Sequence, residues 1–135
     1  LRYFNIFGKG QTLEYSGVIT KFLDRINQKL SPIIYGKGTQ LRDFIYVEDI
    51  VMANLKAMES ETSNLLVNVG TGDGITILEL AEMMIEISGL DVQPIFESPL
   101  EGDIQMSQAN IDLAVKSFGW KPKMKLEEWL KTILK

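Results

Sequence analysis

The chain has 135 residues, 45% of them hydrophobic, and a formal net charge of −4 at pH 7. This length suits about one compact domain, and the acidic balance argues against a nucleic-acid surface, which normally carries a basic patch. The absence of Cys and His excludes a disulfide scaffold and a Ser-His-Asp triad and removes the commonest metal ligand. No apolar run approaches the roughly 20 residues of a membrane span, so we expect no membrane partner. We also expect a cytoplasmic protein that binds no metal.

Strands and helices alternate along the first half of the chain. Residues 1–7 predict an aromatic-rich strand that ends at Gly8, and a loop over 8–14 follows. A helix capped by Ser16 is expected next, with apolar residues at helical spacing: Ile19, Phe22, Leu23, Ile26 and Leu30. Short strands are predicted in PIIYG (32–36) and LRDFIYV (41–47). A helix over 48–60 should place on its inner face Val51, Leu55 and Met58.

The second half continues the alternation. The apolar stretch NLLVNVG (64–70) predicts a buried strand. Thr76 and Glu79 form a capping box that begins a helix, and Gly89 ends it. A strand in VQPIFE (92–97) is interrupted by Pro94, and a helix capped by Asn110 follows. Gly119 stops that helix, and a final amphipathic helix is predicted from Leu126, Trp129, Leu130, Ile133 and Leu134. The pattern indicates an α/β fold.

The stretch LLVNVGTGDGITILEL imitates a dinucleotide-binding turn, in which glycines bring a pyrophosphate against a helix N-terminus. Its spacing is G-x-G-x-G, and the third glycine of the fingerprint would fall at Ile75. Asp91, at about the right distance for a ribose ligand, follows the helix-ending Gly89 instead of ending a strand. The sequence therefore favours a structural turn. Similarly, the acidic pair Glu101 and Asp103 favours a solvated loop over a cation site.

The stretch GTQLRDFIYVEDI (38–50) places Arg42 and Asp43 at the head of a short strand. Two interpretations are open for Arg42. It forms a solvated surface pair with Asp43, or its planar guanidinium binds two oxygens of a phosphate at once.

Several stretches resemble, in order, the extended short-chain dehydrogenase/reductases. They are LRYFNIFGKGQ, YSGVITKF, IIYGKGTQLRDFIYVEDIVMANLKAME, VNVGTGDGITILELAEMM and EGDIQMSQANIDLAVKSFGWKPKMKLEEWL. The branch that the chain resembles most is the NAD-dependent nucleotide-sugar epimerases and dehydratases, in particular the UDP-glucose 4-epimerases. The resemblance covers essentially all 135 residues, and its most specific part is GTQLRDFIYVEDI.

The resemblance implies that residues 1–135 are a C-terminal nucleotide-sugar-binding region. In the family, a glycine fingerprint for NAD and a Tyr-x-x-x-Lys catalytic pair precede this region. None of the four Tyr residues here has Lys four residues later, so no catalytic residue is expected in this chain. We expect Leu1 to lie in mid-strand, strands at 1–7 and 65–69 to complete an absent N-terminal Rossmann sheet, and NAD to be held mainly by that missing domain. The full-length protein would be a homodimer, and the isolated chain would be inactive.

The resemblance also assigns roles to individual residues. Arg42 matches an Arg that contacts the substrate diphosphate, and Asn5 matches an Asn whose amide donates to a phosphate oxygen. For Asn5 the alternative is a polar side chain that only satisfies backbone groups. Leu100 stands where the family often carries a second phosphate-binding Arg, and Lys9 is a candidate to compensate for that missing charge.

Tyr35 matches an aromatic position beside the nucleotide base, with Ile33 lining the same wall; the alternative for Tyr35 is a core aromatic. Asp103 matches an acid that accepts from ribose hydroxyls. Ile6 matches an apolar residue near the nicotinamide and is the one cofactor-binding residue expected here.

These matches predict the nucleotide-sugar-binding part of an NAD-dependent enzyme, a UDP-hexose 4-epimerase. Two alternatives are open: a dTDP-sugar dehydratase or reductase of the same family, and a stand-alone non-enzymatic binding module. The sugar, the base and the choice between NAD and NADP are open as well.

Overall fold

The computed structural model describes residues 1–11 and 17–134, and its strands and helices alternate as an α/β fold, which confirms the predicted class. The strands are β1 (Arg2–Tyr3), β2 (Asn5–Phe7), β3 (Ile33–Tyr35), β4 (Leu41–Tyr46), β5 (Asn68–Val69), β6 (Gly74–Thr76), β7 (Ile95–Glu97) and β8 (Met106–Ser107). The helices are α1 (Val18–Asn27), α2 (Val47–Glu59), α3 (Ile77–Ser88), α4 (Asp112–Phe118) and α5 (Leu126–Ile133). Ser16, the expected cap of α1, and residues 12–14 of the expected loop lie outside the described residues. None of these helices combines the length and the hydropathy that crossing a membrane requires.

Strand β4 is the centre of the largest sheet. Its second half pairs in parallel with β2, and its first half pairs with antiparallel β6 and parallel β8. Two smaller parallel pairs, β1 with β5 and β3 with β7, complete the strand pairing of the described residues. Residues at the head of β4 therefore have hydrogen-bonded neighbours on both sides and are not part of a solvated edge.

The alternation of side chains along β4 divides the interior into two cores, because successive strand residues point to opposite faces. Phe44 joins a core formed with α1, α3 and α5, in which Phe22, Leu80 and Leu130 are buried. Ile45 joins a second core between α2, β5 and α4, together with Trp120. Side chains at Arg42 and Asp43 are separated by the same alternation.

The capping signals predicted at Thr76, Gly89 and Gly119 are present, whereas the predicted cap at Asn110 is wrong. Ile111 is the N-cap of α4, because the helix begins one residue later than expected, and Asn110 Oδ1 accepts from the Asp112 amide at 2.9 Å. Thr76 Oγ1 accepts from the Glu79 amide at 3.2 Å, and the Thr76 amide donates to Glu79 Oε2 at 2.8 Å. Gly89 and Gly119 end α3 and α4 in the left-handed region, at φ 68° and 60°. The backbone and hydroxyl hydrogen bonds from Thr76 hold the pKa of Glu79 below its ordinary value.

Thr76→Ala is expected to lower the free energy of unfolding by about 1 kcal/mol, the usual value of an N-cap. The carboxylate of Glu79 stabilises the fold above its unfolded-state pKa, and this contribution is lost as the pH falls through its lowered folded-state pKa. Denaturant unfolding of the wild type and Thr76→Ala should therefore differ less in acid than at neutral pH. Thr62→Ala, at an exposed loop position, is the control, and a difference that grows in acid would contradict the prediction.

The predicted inner face of α2 is wrong. The helix buries Asp49, Ile50 and Ala53, whereas Val51 and Met58 are 52% and 81% exposed. Leu55, also expected inside, is exposed as well. Both faces of this helix carry apolar residues, so the hydrophobic period alone does not determine which face packs on the core.

Two predicted strands are shorter than expected. The strand at residues 1–7 is divided at Phe4 into β1 and β2, which pair with different neighbours. In the stretch 64–70 only Asn68–Val69 forms a strand, and Leu65 and Leu66 are exposed. Apolar composition therefore overstated the pairing of both segments.

We expect the isolated chain to self-associate through an exposed apolar surface of α2. This outer α2 face consists of Val51, Met52, Leu55 and Met58. Tyr3 of β1 donates to Asn54 of α2 at 2.8 Å, so a short strand lies beside this face. Contiguous exposed apolar residues next to a strand favour association. Light scattering at micromolar concentration should give a mass above that of a monomer.

The double variant Leu55→Lys, Met58→Lys should return the isolated chain towards a monomer, because it places two charges on the outer α2 face. Leu30→Lys, at an exposed position of the loop after α1, is the matched control. A wild-type monomer with a sharp cooperative melt would contradict the prediction and favour a complete, self-sufficient domain.

Candidate functional site

One cavity of about 260 Å³ is bordered by α1, β2, β3, β4 and the loop between β7 and β8. All six residues expected at the site line it: Asn5, Ile6, Ile33, Tyr35, Arg42 and Asp103. These positions are spread over almost 100 residues of sequence, and the fold brings them together. Their meeting in one cavity is what a shared ligand site requires.

The β3 side of the cavity is an apolar wall. Ile33 and Tyr35 line it, while Ile34, which lies between them, is 1% exposed and packs into the first core. This is the period-two alternation of a strand with one face in the core. Tyr35 is 36% exposed, so its ring is not a core aromatic. The wall can offer a flat aromatic face to a ring of a ligand.

Arg42 lies in the cavity with a side chain that is only 14% exposed. Its Nη2 donates to Asp103 Oδ1 at 2.6 Å, and its Nη1 donates to the carbonyl of Leu41 at 2.9 Å. The partner of the guanidinium is therefore Asp103, 61 residues away in sequence, and not the adjacent Asp43. The structure rules out the solvated surface pair with Asp43.

Asp103 is held at both carboxylate oxygens. Its Oδ2 accepts from Gln40 Nε2 at 2.8 Å, and the same nitrogen donates to the Tyr35 carbonyl at 2.8 Å. Gln40 lines the cavity and was missed in the sequence. Its signal was available, since it lies two residues before Arg42 and the strand period places both on one side. Because Asp103 is engaged in this way and Glu101 is exposed, the carboxylates of Glu101 and Asp103 do not meet at one point, as a shared cation would require.

Asn5 stands beside Arg42 on the neighbouring strand. The β2–β4 register pairs Asn5 with Phe44, and Asn5 Nδ2 donates to the carbonyl of Asp43 at 2.9 Å. The amide thus supports the backbone and also lines the cavity. Ile6, which follows it, is 37% exposed and provides an apolar patch at the same place.

The second cation of the cavity differs from the expected one. Leu100, which stands where the family often carries a phosphate-binding Arg, lines the cavity and is 55% exposed. Among the described residues, Lys21 of α1 lines the cavity, whereas Lys9 does not. Lys21 lines the cavity together with Val18 and Phe22 of the same helix. Its position there depends on how α1 packs against the rest of the fold.

The glycine turn that imitates a cofactor fingerprint binds a carboxylate of the chain itself. Asp43, 0% exposed, accepts from the Thr71 amide at 2.8 Å, the Thr71 hydroxyl at 2.6 Å, the Gly72 amide at 2.9 Å and the Ala109 amide at 3.1 Å. A Cβ at Gly70 would lie 2.8 Å from Asp43 Oδ2. The turn is structural, as predicted, because its amides donate to the carboxylate of Asp43.

The sequence profile of the NAD dependent epimerase/dehydratase family matches residues 1–70 of the chain. A provisionally named UDP-glucose 4-epimerase of Methanocaldococcus jannaschii is 38% identical over 135 residues, which cover 99% of this chain and 43% of that protein. The Escherichia coli dTDP-4-dehydro-6-deoxyglucose reductase is 30% identical over 138 residues, which cover 100% and 43%. The chain thus spans less than half the length of these relatives.

Solved structures agree with these similarities. The Thermotoga maritima UDP-glucose 4-epimerase, crystallised with UDP-glucose, superposes with a TM-score of 0.91 at 38% identity and covers 98% of this chain and 43% of that one. The Methanobrevibacter ruminantium UDP-N-acetylglucosamine 4-epimerase in complex with UDP-N-acetylmuramic acid gives 0.88 at 38% identity, with the same coverage. By the match of its sequence and of its fold, the chain belongs to the NAD dependent epimerase/dehydratase family.

Proposed function

We propose that the chain is the C-terminal, nucleotide-sugar-binding region of an NAD-dependent UDP-hexose 4-epimerase. The observation that carries this proposal is that Arg42, Asn5 and the aromatic wall at Tyr35 line the same cavity. A nucleoside diphosphate needs these three elements: a cation and an amide for the phosphates, and a flat face for the base. Relatives with 38% identity that bind UDP-linked ligands support the nucleotide part.

In this function the residues of the chain act by positioning. Arg42 and Asn5 hold the diphosphate, Asp103 accepts from the ribose, and Ile33 and Tyr35 flank the base. The sugar beyond the diphosphate is then free to turn and present either face to the reacting groups while its nucleotide stays fixed. Positioning of this kind removes translational and rotational freedom before the chemical step.

The described residues of this chain are suited to contact only a small part of NAD. The glycine-rich turn at residues 70–74 is occupied by the Asp43 carboxylate, so no cradle for a dinucleotide pyrophosphate is open there. Ile6 provides an apolar contact of the kind that a nicotinamide ring uses. When bound, NAD supplies the acceptor for the sugar hydride. We therefore propose that NAD is held mainly by an N-terminal domain, which would also carry the catalytic pair. The homodimer and the cytoplasmic location stay predictions.

A second candidate is a dTDP-sugar reductase or dehydratase. The 30% identity with the Escherichia coli dTDP-4-dehydro-6-deoxyglucose reductase over the whole chain favours it. The cavity residues bind nucleotide and diphosphate, which both substrate classes share, so substrate assays must separate the two.

The full-length protein should interconvert a UDP-hexose and its 4-epimer when NAD is present, and the isolated 135-residue chain should show no turnover. Products from UDP-glucose, UDP-N-acetylglucosamine, UDP-glucuronate, dTDP-glucose and, with reduced nicotinamide cofactor, dTDP-4-dehydro-6-deoxyglucose are separated by chromatography. Conversion of a dTDP-sugar alone would select the second candidate. Binding of UDP without turnover of any substrate by the full-length protein would favour a non-enzymatic binding module, and turnover by the isolated chain would contradict the assignment of catalysis to another domain.

A further inference from the structure

We propose that Gln40 is a positioning residue of the nucleotide site, one that keeps the Arg42–Asp103 ion pair in a single-contact geometry and so leaves the guanidinium free to bind a diphosphate. This inference rests on the proposed function. It concerns a residue to which neither the sequence motifs nor the family resemblance gave a role.

The first observation is that the ion pair is joined at one point. Arg42 Nη2 contacts Asp103 Oδ1 at 2.6 Å, while Asp103 Oδ2 is turned to Gln40 Nε2 at 2.8 Å. An Arg and a carboxylate that meet without other partners favour two parallel hydrogen bonds. Such a bidentate pair would occupy the edge of the guanidinium that the phosphates need. The amide of Gln40 prevents it by engaging the second carboxylate oxygen.

The second observation is that the amide of Gln40 is engaged entirely through its nitrogen. Gln40 is 6% exposed, both hydrogens of its Nε2 are donated, and its buried Oε1 has no hydrogen-bond partner among the described residues. The orientation of the amide is fixed, because the Tyr35 carbonyl and Asp103 can only accept. A buried acceptor left without a donor is unfavourable. An apolar side chain of similar volume would avoid that penalty but would remove the donor of the Tyr35 carbonyl and of Asp103 Oδ2, so the contribution of this amide is made by its nitrogen.

The third observation is that the backbone at this position is fixed independently of the side chain. The Gln40 carbonyl accepts from the Ile77 amide at 3.0 Å, and the Leu41 amide donates to the Gln105 carbonyl at 2.9 Å. A substitution at Gln40 therefore changes the contacts of Asp103 and of the Tyr35 carbonyl without removing the support of β4. The network from Tyr35 through Gln40 and Asp103 to Arg42 links the wall for the base with the clamp for the phosphates.

The test is a double-mutant cycle on UDP affinity in the full-length protein, measured by calorimetry. Gln40→Met should weaken UDP binding by about ten-fold, the value of a hydrogen bond to a charged group. In an Asp103→Ala background the same substitution should change the affinity by less than about two-fold, because the effect acts through Asp103. Gln28→Met is the matched control, since Gln28 also donates to an aspartate, Asp24 at 2.8 Å, outside the cavity.

Thermal unfolding distinguishes positioning from a structural role. Gln40→Met removes two hydrogen bonds and also removes the unpartnered Oε1, so these effects oppose each other, and the unfolding temperature should shift by only a few degrees while UDP affinity falls. Unchanged UDP affinity, or a ten-fold loss that persists in the Asp103→Ala background, would overturn the inference and leave the proposed function intact. A wild-type protein that does not bind UDP would instead overturn the proposed function and the inference with it.

Discussion

Arg42→Ala in the full-length protein should weaken UDP binding by about ten- to a hundred-fold, because a charge-assisted hydrogen bond contributes about 1.5–3 kcal/mol. Its side chain is mostly buried in the cavity and is oriented by Asp103 and the Leu41 carbonyl, so little freedom is lost when a phosphate binds. NAD affinity should change much less, since the cofactor is assigned mainly to another domain. Calorimetric titration with UDP and with NAD measures both effects.

Two variants make the Arg42 experiment specific. Arg42→Lys keeps the charge but loses the planar fork, so its affinity should fall between those of the wild type and the alanine variant. Arg25→Ala removes a cation outside the cavity, from the last turn of α1, and should leave UDP binding unchanged. An Arg42→Ala protein that folds and binds UDP with wild-type affinity would show that this guanidinium does not bind the diphosphate.

Asp43→Ala should lower the free energy of unfolding by about 1–3 kcal/mol for each donor that it leaves buried and unsatisfied. The substitution removes the acceptor of four hydrogen bonds and leaves the amides of Thr71, Gly72 and Ala109 without it. The glycine turn and the segment before α4 would both lose their tie to β4. Urea unfolding of the full-length protein, monitored with a spectroscopic probe in this region, measures the change in the free energy of unfolding.

Asp73→Ala is the matched control for Asp43, because it removes an exposed carboxylate from the same turn. It should change the free energy of unfolding by less than about 0.5 kcal/mol, as is usual for surface positions. Asp43→Asn keeps the shape but offers only one acceptor oxygen, so its loss should be intermediate. Equal stability of Asp43→Ala and the wild type would mean that the turn does not depend on this carboxylate.

Local signals in the sequence were enough for the existence and order of most elements. The capping box at Thr76 and the glycines at 89 and 119 are present in the structure because caps depend on residues three or four positions apart. The alternation of β3 and β4 likewise follows from the strand period alone. The family resemblance added six candidate residues, and the structure brings all six to one cavity, although their roles stay predictions.

By itself, then, the sequence determined the α/β class, the caps of α3, the end of α4 and, through the resemblance, six of the residues that line the cavity. Only the tertiary structure decided which face of α2 is buried, because both faces are apolar and the choice depends on the neighbours of Ile50 and Ala53. It also decided the partners of the two charges at the head of β4: Arg42 meets Asp103, and Asp43 meets the glycine turn. The physical reason is that adjacent strand residues face opposite sides of a sheet, where each charge meets polar groups from distant parts of the chain.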